Sequence, residues 1–267
     1  MDQQANFPMN DNITYCDKCH KPTSRYDEAR KICFPTRCDC QQDKPDEYKE
    51  MKYNEERRRF RDLQKASMLG ERYKNVNFEN TVLSESTHES FHTAFERCRN
   101  FCKNADEVSR RGWGMYLYGA SGVGKTHLTA CMCNELLKNQ KQCLFTNFFE
   151  ISKAIRATFN SQDSDAMLIN KICSIEFLFI DDIGTERLRA NGADSWLQEQ
   201  IFDILNKRYN NKKSTIFTSN HSISQLVEDR GLMDKTADRI NEMAKGVIKI
   251  EGGSYRLKIA NDPNDLF

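Results

Sequence analysis

The chain has 267 residues, 38% of them hydrophobic, enough to bury one substantial core and leave room for a smaller module. Its 40 Lys and Arg balance 39 Asp and Glu, and a net charge of +1 excludes the global basic signature of a protein that coats nucleic acid. No run approaches the roughly 20 apolar residues that span a bilayer, and no basic-then-apolar leader opens the chain, so a soluble cytoplasmic protein with no membrane contact is expected.

Residues 1–45 are expected to form a zinc-binding module. Of the 11 cysteines, Cys16, Cys19, Cys33, Cys38 and Cys40 crowd into this stretch. In a reducing compartment such crowding points to metal rather than to disulfides. Cys16-Asp-Lys-Cys19 has the spacing of a zinc knuckle, and Cys38-Asp-Cys40 supplies a second pair of thiolates. Together they predict a tetrahedral structural site around a stretch too polar to fold by burial, with Cys33 as the substitute ligand and His20 as a weaker one. A closed four-ligand site leaves no position for a substrate, so its expected role is folding and partner binding.

Residues 46–70 read as a helical linker, rich in helix formers and mixed charge with few apolar anchors. Arg57, Arg58, Arg59 and Arg61 fit a solvated helix face, with contact to nucleic acid or a partner as the alternative. Gly70 ends the segment. The large domain, residues 71–267, follows. Tyr73 and Phe78 are candidates for packing beside a base or for the core, and Ser90–Phe101 reads as a helix with Phe91, Ala94, Phe95 and Cys98 on one side.

The most informative stretch is Gly119-Ala120-Ser121-Gly122-Val123-Gly124-Lys125-Thr126, a complete G-x-x-x-x-G-K-[ST] phosphate loop. It follows a strand-length apolar run, Trp113–Tyr118, and precedes a helical pattern beginning at His127. The glycines let backbone N–H groups converge on phosphate oxygens, and the helix start adds its unpaired donors. Lys125 is expected to reach the β- and γ-phosphates of ATP, and the Thr126 hydroxyl to ligate Mg²⁺.

A second buried strand is expected at Gln142–Thr146 and a helix at Phe149–Phe159, with Ile151, Ile155 and Phe159 on one stripe. Ile175–Gly184 is an apolar strand ending in two acids. A carboxylate at the C-terminal end of a parallel strand lies near the phosphate loop, so Asp181 is expected to hold Mg²⁺ and Asp182 to orient or deprotonate the attacking water. Asp194 is placed to cap a helix carrying Trp196, Leu197, Ile201, Phe202 and Leu205. Ser214–Asn220 is another strand, ending in an amide that can read the γ-phosphate. Leu232–Ala244 reads as a helix and Gly246–Ile250 as a last strand. The alternation predicts an α/β fold with a parallel sheet flanked by helices.

Tyr-Gly-Ala-Ser-Gly-Val-Gly-Lys-Thr (118–126), Phe-Leu-Phe-Ile-Asp-Asp-Ile-Gly (177–184), Thr-Ser-Asn (218–220), Asp-Arg-Ile (238–240) and Gly-Ser-Tyr-Arg (253–256) resemble the bacterial replicative helicase loaders, the DnaC/DnaI-type branch of the AAA+ ATPases. The resemblance implies an AAA+ core that binds and hydrolyses ATP. It matches Arg239 to an arginine finger that reaches a neighbouring subunit's γ-phosphate, and Arg256 to a sensor-like arginine beside the nucleotide. As partners it implies a hexameric replicative helicase, single-stranded DNA and further copies of this chain. The cysteine-rich front resembles the zinc-bearing N-domain of the DnaI-type loader but is shorter, as a phage or prophage member would be. ATP-dependent loading of a ring helicase onto single-stranded DNA is the expected function. The alternatives are a transposition helper ATPase and a non-catalytic adaptor or antagonist of a host loader.

Overall fold

A computed structural model describes residues 14–16, 21–27, 32–35, 45–83, 87–158, 163–185 and 193–255. The chain divides into two compact units, Met1–Arg59 and Phe60–Phe267.

In the first unit, strands β1 (Ser24–Asp27) and β2 (Ile32–Pro35) pair antiparallel, with Tyr26 opposite Cys33. Before them, an isolated bridge joins Tyr15 to Pro22, and the Cys16 N–H donates to the Lys21 carbonyl at 2.9 Å. The helix α1 (Pro45–Ala66) begins on Pro45, whose fixed φ suits a first helical position. On it Arg59 pairs with Glu55 at 2.6 Å, one turn away, and Arg57 lies over the exposed Tyr53 ring at 5.6 Å. Such i,i+4 pairing is how a mixed-charge helix face satisfies itself in water.

The second unit is built on a five-stranded sheet in the order β4-β5-β6-β3-β7. The strands are β3 (Gly114–Tyr118), β4 (Cys143–Asn147), β5 (Phe177–Ile183), β6 (Ser214–Ser219) and β7 (Ala244–Lys249), and every neighbouring pair is parallel. These strands read as continuous apolar runs because both faces are covered by helices. Side chains alternate between two cores: Met115, Leu117, Phe177, Phe179 and Ile216 point to one, Tyr116, Leu178, Ile180 and Phe217 to the other.

The first core is covered by α2 (Glu89–Lys103), α3 (Ala105–Arg111) and α4 (Lys125–Lys138). On α2 the residues Phe91, Ala94, Phe95 and Cys98 are all buried, as their helical spacing predicts. Phe78 packs edge-on against Phe95, so it is a core residue. The part of α1 from Phe60 onward belongs to this second unit and joins its core through Phe60 and Leu63, and Gln64 donates to the Lys74 carbonyl and to Asn134 on α4.

The second core lies under α5 (Phe148–Thr158), α6 (Asp163–Ser174), α7 (Ala193–Asn210), α8 (Ile223–Glu228) and α9 (Asp234–Met243). Ile151 and Ile155 are buried as expected, while Phe159 lies outside the described residues. α7 begins at Ala193, and the side chain of Asp194 lies outside the described part of the structure. One expectation for the apolar face of α7 is corrected. The buried stripe runs through Leu197, Ile201, Ile204 and Leu205, and Trp196 faces outward, 37% exposed. Ile204 completes the i, i+3, i+4 pattern that Trp196 does not.

One element has no apolar explanation. Arg208, near the end of α7, is wholly buried and donates to the carbonyls of Ile172, Ile175 and Ser214 and to the Thr215 hydroxyl. It joins α6, α7 and β6 through their loose backbone ends. Among the described residues no helix is long and apolar enough to cross a membrane.

Candidate nucleotide-binding site

The phosphate loop leaves β3 at Tyr118 and ends where α4 begins at Lys125. Gly124 caps that helix in the left-handed region, φ +100°, and makes no side-chain cap. A Cβ at Gly124 would stand 2.5 Å from the ring of Phe91, so both conformation and space demand glycine there. The first N–H groups of α4 are therefore left for an anion, with the positive end of the helix dipole behind them. Val123 is buried in the core and anchors the loop from beneath.

Lys125 is 7% exposed, and its ammonium donates to the carbonyls of Gly119 and Ala120 and to Asn220 Oδ1, each at 2.8 Å. Thr126 Oγ1 lies 3.1 Å from both oxygens of Asp181. The Thr218 hydroxyl donates to Asp181 at 2.6 Å and accepts from the Asp182 N–H at 2.8 Å. Asp182 itself has φ +60°, a conformation that costs a non-glycine residue roughly 1–2 kcal/mol, and the Thr218 contact helps hold it there. Asn220 Nδ2 closes the network by donating to Asp182 at 3.2 Å.

Burial raises the pKa of Asp181, opposed by the hydrogen bonds from Thr218 and Thr126, while the charge of Asp182 adds to the rise. A hydroxyl beside a partly desolvated carboxylate is a donor set suited to a hard divalent cation, and Mg²⁺ fits it.

The network opens into a cavity of about 430 Å³, within the usual range of nucleotide-sized sites. Ser121, Gly122, Gly124, Lys125, Thr126, His127, Asp181, Asp182 and Asn220 all line it, so the structure gathers most of the residues singled out from sequence. Thr218 and Tyr255 also line it, from within the Thr-Ser-Asn and Gly-Ser-Tyr-Arg motifs, and Thr81 and Val82 line it with no recognisable motif at all. Tyr73 lines the cavity and Phe91 serves both cavity and core. Tyr255 is tied to the loop through its N–H, which donates to the Gly122 carbonyl at 3.0 Å, and its ring lies 6.5 Å from that of Phe91.

Arg239 is not part of this cavity. On α9 its guanidinium lies 4.2 Å from the centre of the Tyr209 ring and pairs with Glu242. Arg256 lies outside the described residues. So do Cys19, Cys38 and Cys40, whereas Cys16 is buried and Cys33 belongs to β2. Among the described residues no group of three or more His, Cys, Asp or Glu side chains is placed to hold a metal ion.

Residues 50–262 match the family model described as "IstB-like ATP binding protein". The replicative helicase loader DnaI of Bacillus subtilis is 29% identical over 133 residues, 49% of this chain and 40% of the relative. The replicative helicase loader DnaC of Escherichia coli K12 is 29% identical over 143 residues, 53% of this chain and 55% of the relative. The chain thus spans about half the length of these two relatives. A solved DnaC helicase loader superimposes with a TM-score of 0.56 at 27% identity, covering 68% of this chain and 100% of that one. The likeness to helicase loaders read from the motifs is borne out, and the fold is that of an AAA+ ATPase.

Proposed function

Because the chain belongs to the IstB-like ATP-binding protein family, we propose that it is an ATPase that loads a replicative ring helicase onto single-stranded DNA. The observation that carries this reading is the contiguous network from Lys125 through Asn220 to Asp182, at the mouth of a nucleotide-sized cavity. An adaptor that used ATP only as ballast would have no need to hold a second acid in a strained conformation beside a polar amide. The loaders DnaI and DnaC among its relatives favour helicase loading over transposition.

In this reading Lys125 exchanges its carbonyl partners for the β- and γ-phosphates, and loop N–H groups at Gly119–Gly124 cradle the rest. Thr126 and Asp181 would hold Mg²⁺, which neutralises charge on the phosphate oxygens when bound. Asp182 orients the attacking water and takes up its proton, with Asn220 reading the γ-phosphate. Arg239 is supplied to a neighbouring copy, so turnover depends on assembly, and Arg256 is given the sensor role that the motif likeness implies. ATP and DNA favour the assembled state, and hydrolysis withdraws that bias.

The N-terminal module is assigned to the helicase, with zinc held by Cys16, Cys19, Cys38 and Cys40, or with Cys33 in place of one. The turn closed by the Cys16 N–H and the burial of Cys16 suit one half of such a site. Stoichiometric zinc in the full chain, lost in a Cys16→Ser, Cys38→Ser variant, is the expected result. The cytoplasm is the compartment these activities require.

The decisive experiment incubates the full chain with a replicative helicase, ATP and circular single-stranded DNA. Co-elution with the helicase and its transfer to the circle in an ATP-dependent manner is expected. ATP hydrolysis without any helicase association would reject loading, and capture of a transposase instead would move the assignment to a transposition helper.

A further inference from the structure

His127 follows Thr126 on α4 and is partly exposed on the cavity wall. Its neighbour there is the Thr81 hydroxyl, which lies 2.8 Å from the Asn77 carbonyl, 2.9 Å from His127 Nε2 and 3.5 Å from Cys131 Sγ. A hydroxyl has one proton to give, and a carbonyl can only accept, so that proton serves Asn77. Nε2 must then supply the proton of its own bond to Thr81. Burial raises the Cys131 thiol to about 11, so the sulfur keeps its hydrogen and is a second donor to Thr81. In a neutral imidazole one ring nitrogen donates and the other accepts. The other ring nitrogen, Nδ1, is left as a lone pair with no hydrogen bond among the described residues.

We propose that His127 selects the nucleoside: Nδ1 accepts a hydrogen bond from the exocyclic amine of adenine, and Thr81 is the positioning residue that fixes the tautomer. The inference rests on the reading of the cavity as an ATP site. A base carrying a carbonyl oxygen at the amine's position would set two lone pairs against each other, so the site discriminates by what it cannot bond as well as by what it can. A ribose hydroxyl is the other donor a nucleoside carries, and the same lone pair would accept from it.

The test measures equilibrium binding of ATP, inosine triphosphate, 2′-deoxy-ATP and 3′-deoxy-ATP to the full chain and to His127→Leu. The wild type should prefer ATP to the inosine nucleotide by about tenfold, the size of one hydrogen bond made or opposed, and His127→Leu should abolish the preference by weakening ATP and relieving the opposition to the inosine nucleotide. In His127→Leu, lost discrimination against a deoxy nucleotide with the preference for ATP over the inosine nucleotide intact would put the lone pair on the ribose and overturn selection of the base. Equal weakening of all four, with the wild-type preferences intact, would overturn the proposal. Failure of the wild type to bind any nucleotide would remove the ATP reading instead. Independently of any variant, imidazole ¹⁵N shifts should show His127, one of five histidines, protonated at Nε2, with the tautomer mixed in Thr81→Val. A ring protonated at Nδ1 in the wild type sinks the idea.

Discussion

Asn220 accepts a 2.8 Å hydrogen bond from Lys125, so the end of β6 is tied directly to the first residue of α4. The same amide donates to Asp182, and it therefore stands between the cation that meets phosphate and the acid assigned to water. Once a triphosphate takes Lys125, the Asn220 oxygen is free to position the nucleophile. Asn220→Ala should leave ATP affinity within about threefold and lower kcat by roughly 10²-fold, as loss of a single transition-state donor does. Separate kcat and KM values check this; a raised KM at unchanged kcat would confine Asn220 to ground-state binding.

Arg239 tests the dependence on assembly. Its guanidinium is held by Tyr209 and Glu242 and does not line the cavity of its own subunit. Arg239→Ala should bind ATP normally and lose stimulated turnover by about 10³-fold. Mixing it with Lys125→Ala subunits, which keep the arginine but lose the phosphate contact, should restore turnover above the sum of the two. Mixtures no more active than their parts would rule out a finger given in trans.

Asp181 gives a pH prediction. Burial raises its pKa above the ordinary 3.8, so between that value and the folded one the native state holds more protons than the unfolded state. Stability therefore falls as pH rises through this window, and the loss persists at neutral pH. Asp181→Asn should raise the Tm of the nucleotide-free protein at pH 7, give no gain below the unfolded pKa, and abolish Mg²⁺-dependent hydrolysis. A lower Tm at pH 7 would mean that the Thr126 and Thr218 hydrogen bonds outweigh the cost of burial.

Arg208 is the stability counterpart. It is fully buried, and its removal leaves the carbonyls of Ile172, Ile175 and Ser214 without their donor. Arg208→Ala should cost about 3–5 kcal/mol, and Arg208→Lys less, since an ammonium supplies donors without the planar fork. Urea unfolding reads this as a lower midpoint at unchanged slope. A loss under 1 kcal/mol would show that water replaces the guanidinium without penalty.

Much of this was legible beforehand because it is local. The phosphate loop is defined by spacing within eight residues, and the face of α2 by the recurrence of Phe91, Ala94, Phe95 and Cys98. Trp196 turns outward for the opposite reason: which residues of α7 face inward depends on what lies beneath the helix. Arg208 looked like any basic residue in the last turn of a helix. Only the meeting of Ile172, Ile175 and Ser214 made it a buried strut.

The amino-acid order by itself determined that this protein holds a triphosphate, since a glycine-rich turn between strand and helix needs no distant partner to present its N–H groups. It also determined the acids, by ending an apolar strand in Asp181 and Asp182. Tertiary structure alone decided that β6 runs between β5 and β3, which puts Thr218 and Asn220 between the acids and Lys125. Strand order is settled by burial of both sheet faces over long separations, and no local propensity encodes it.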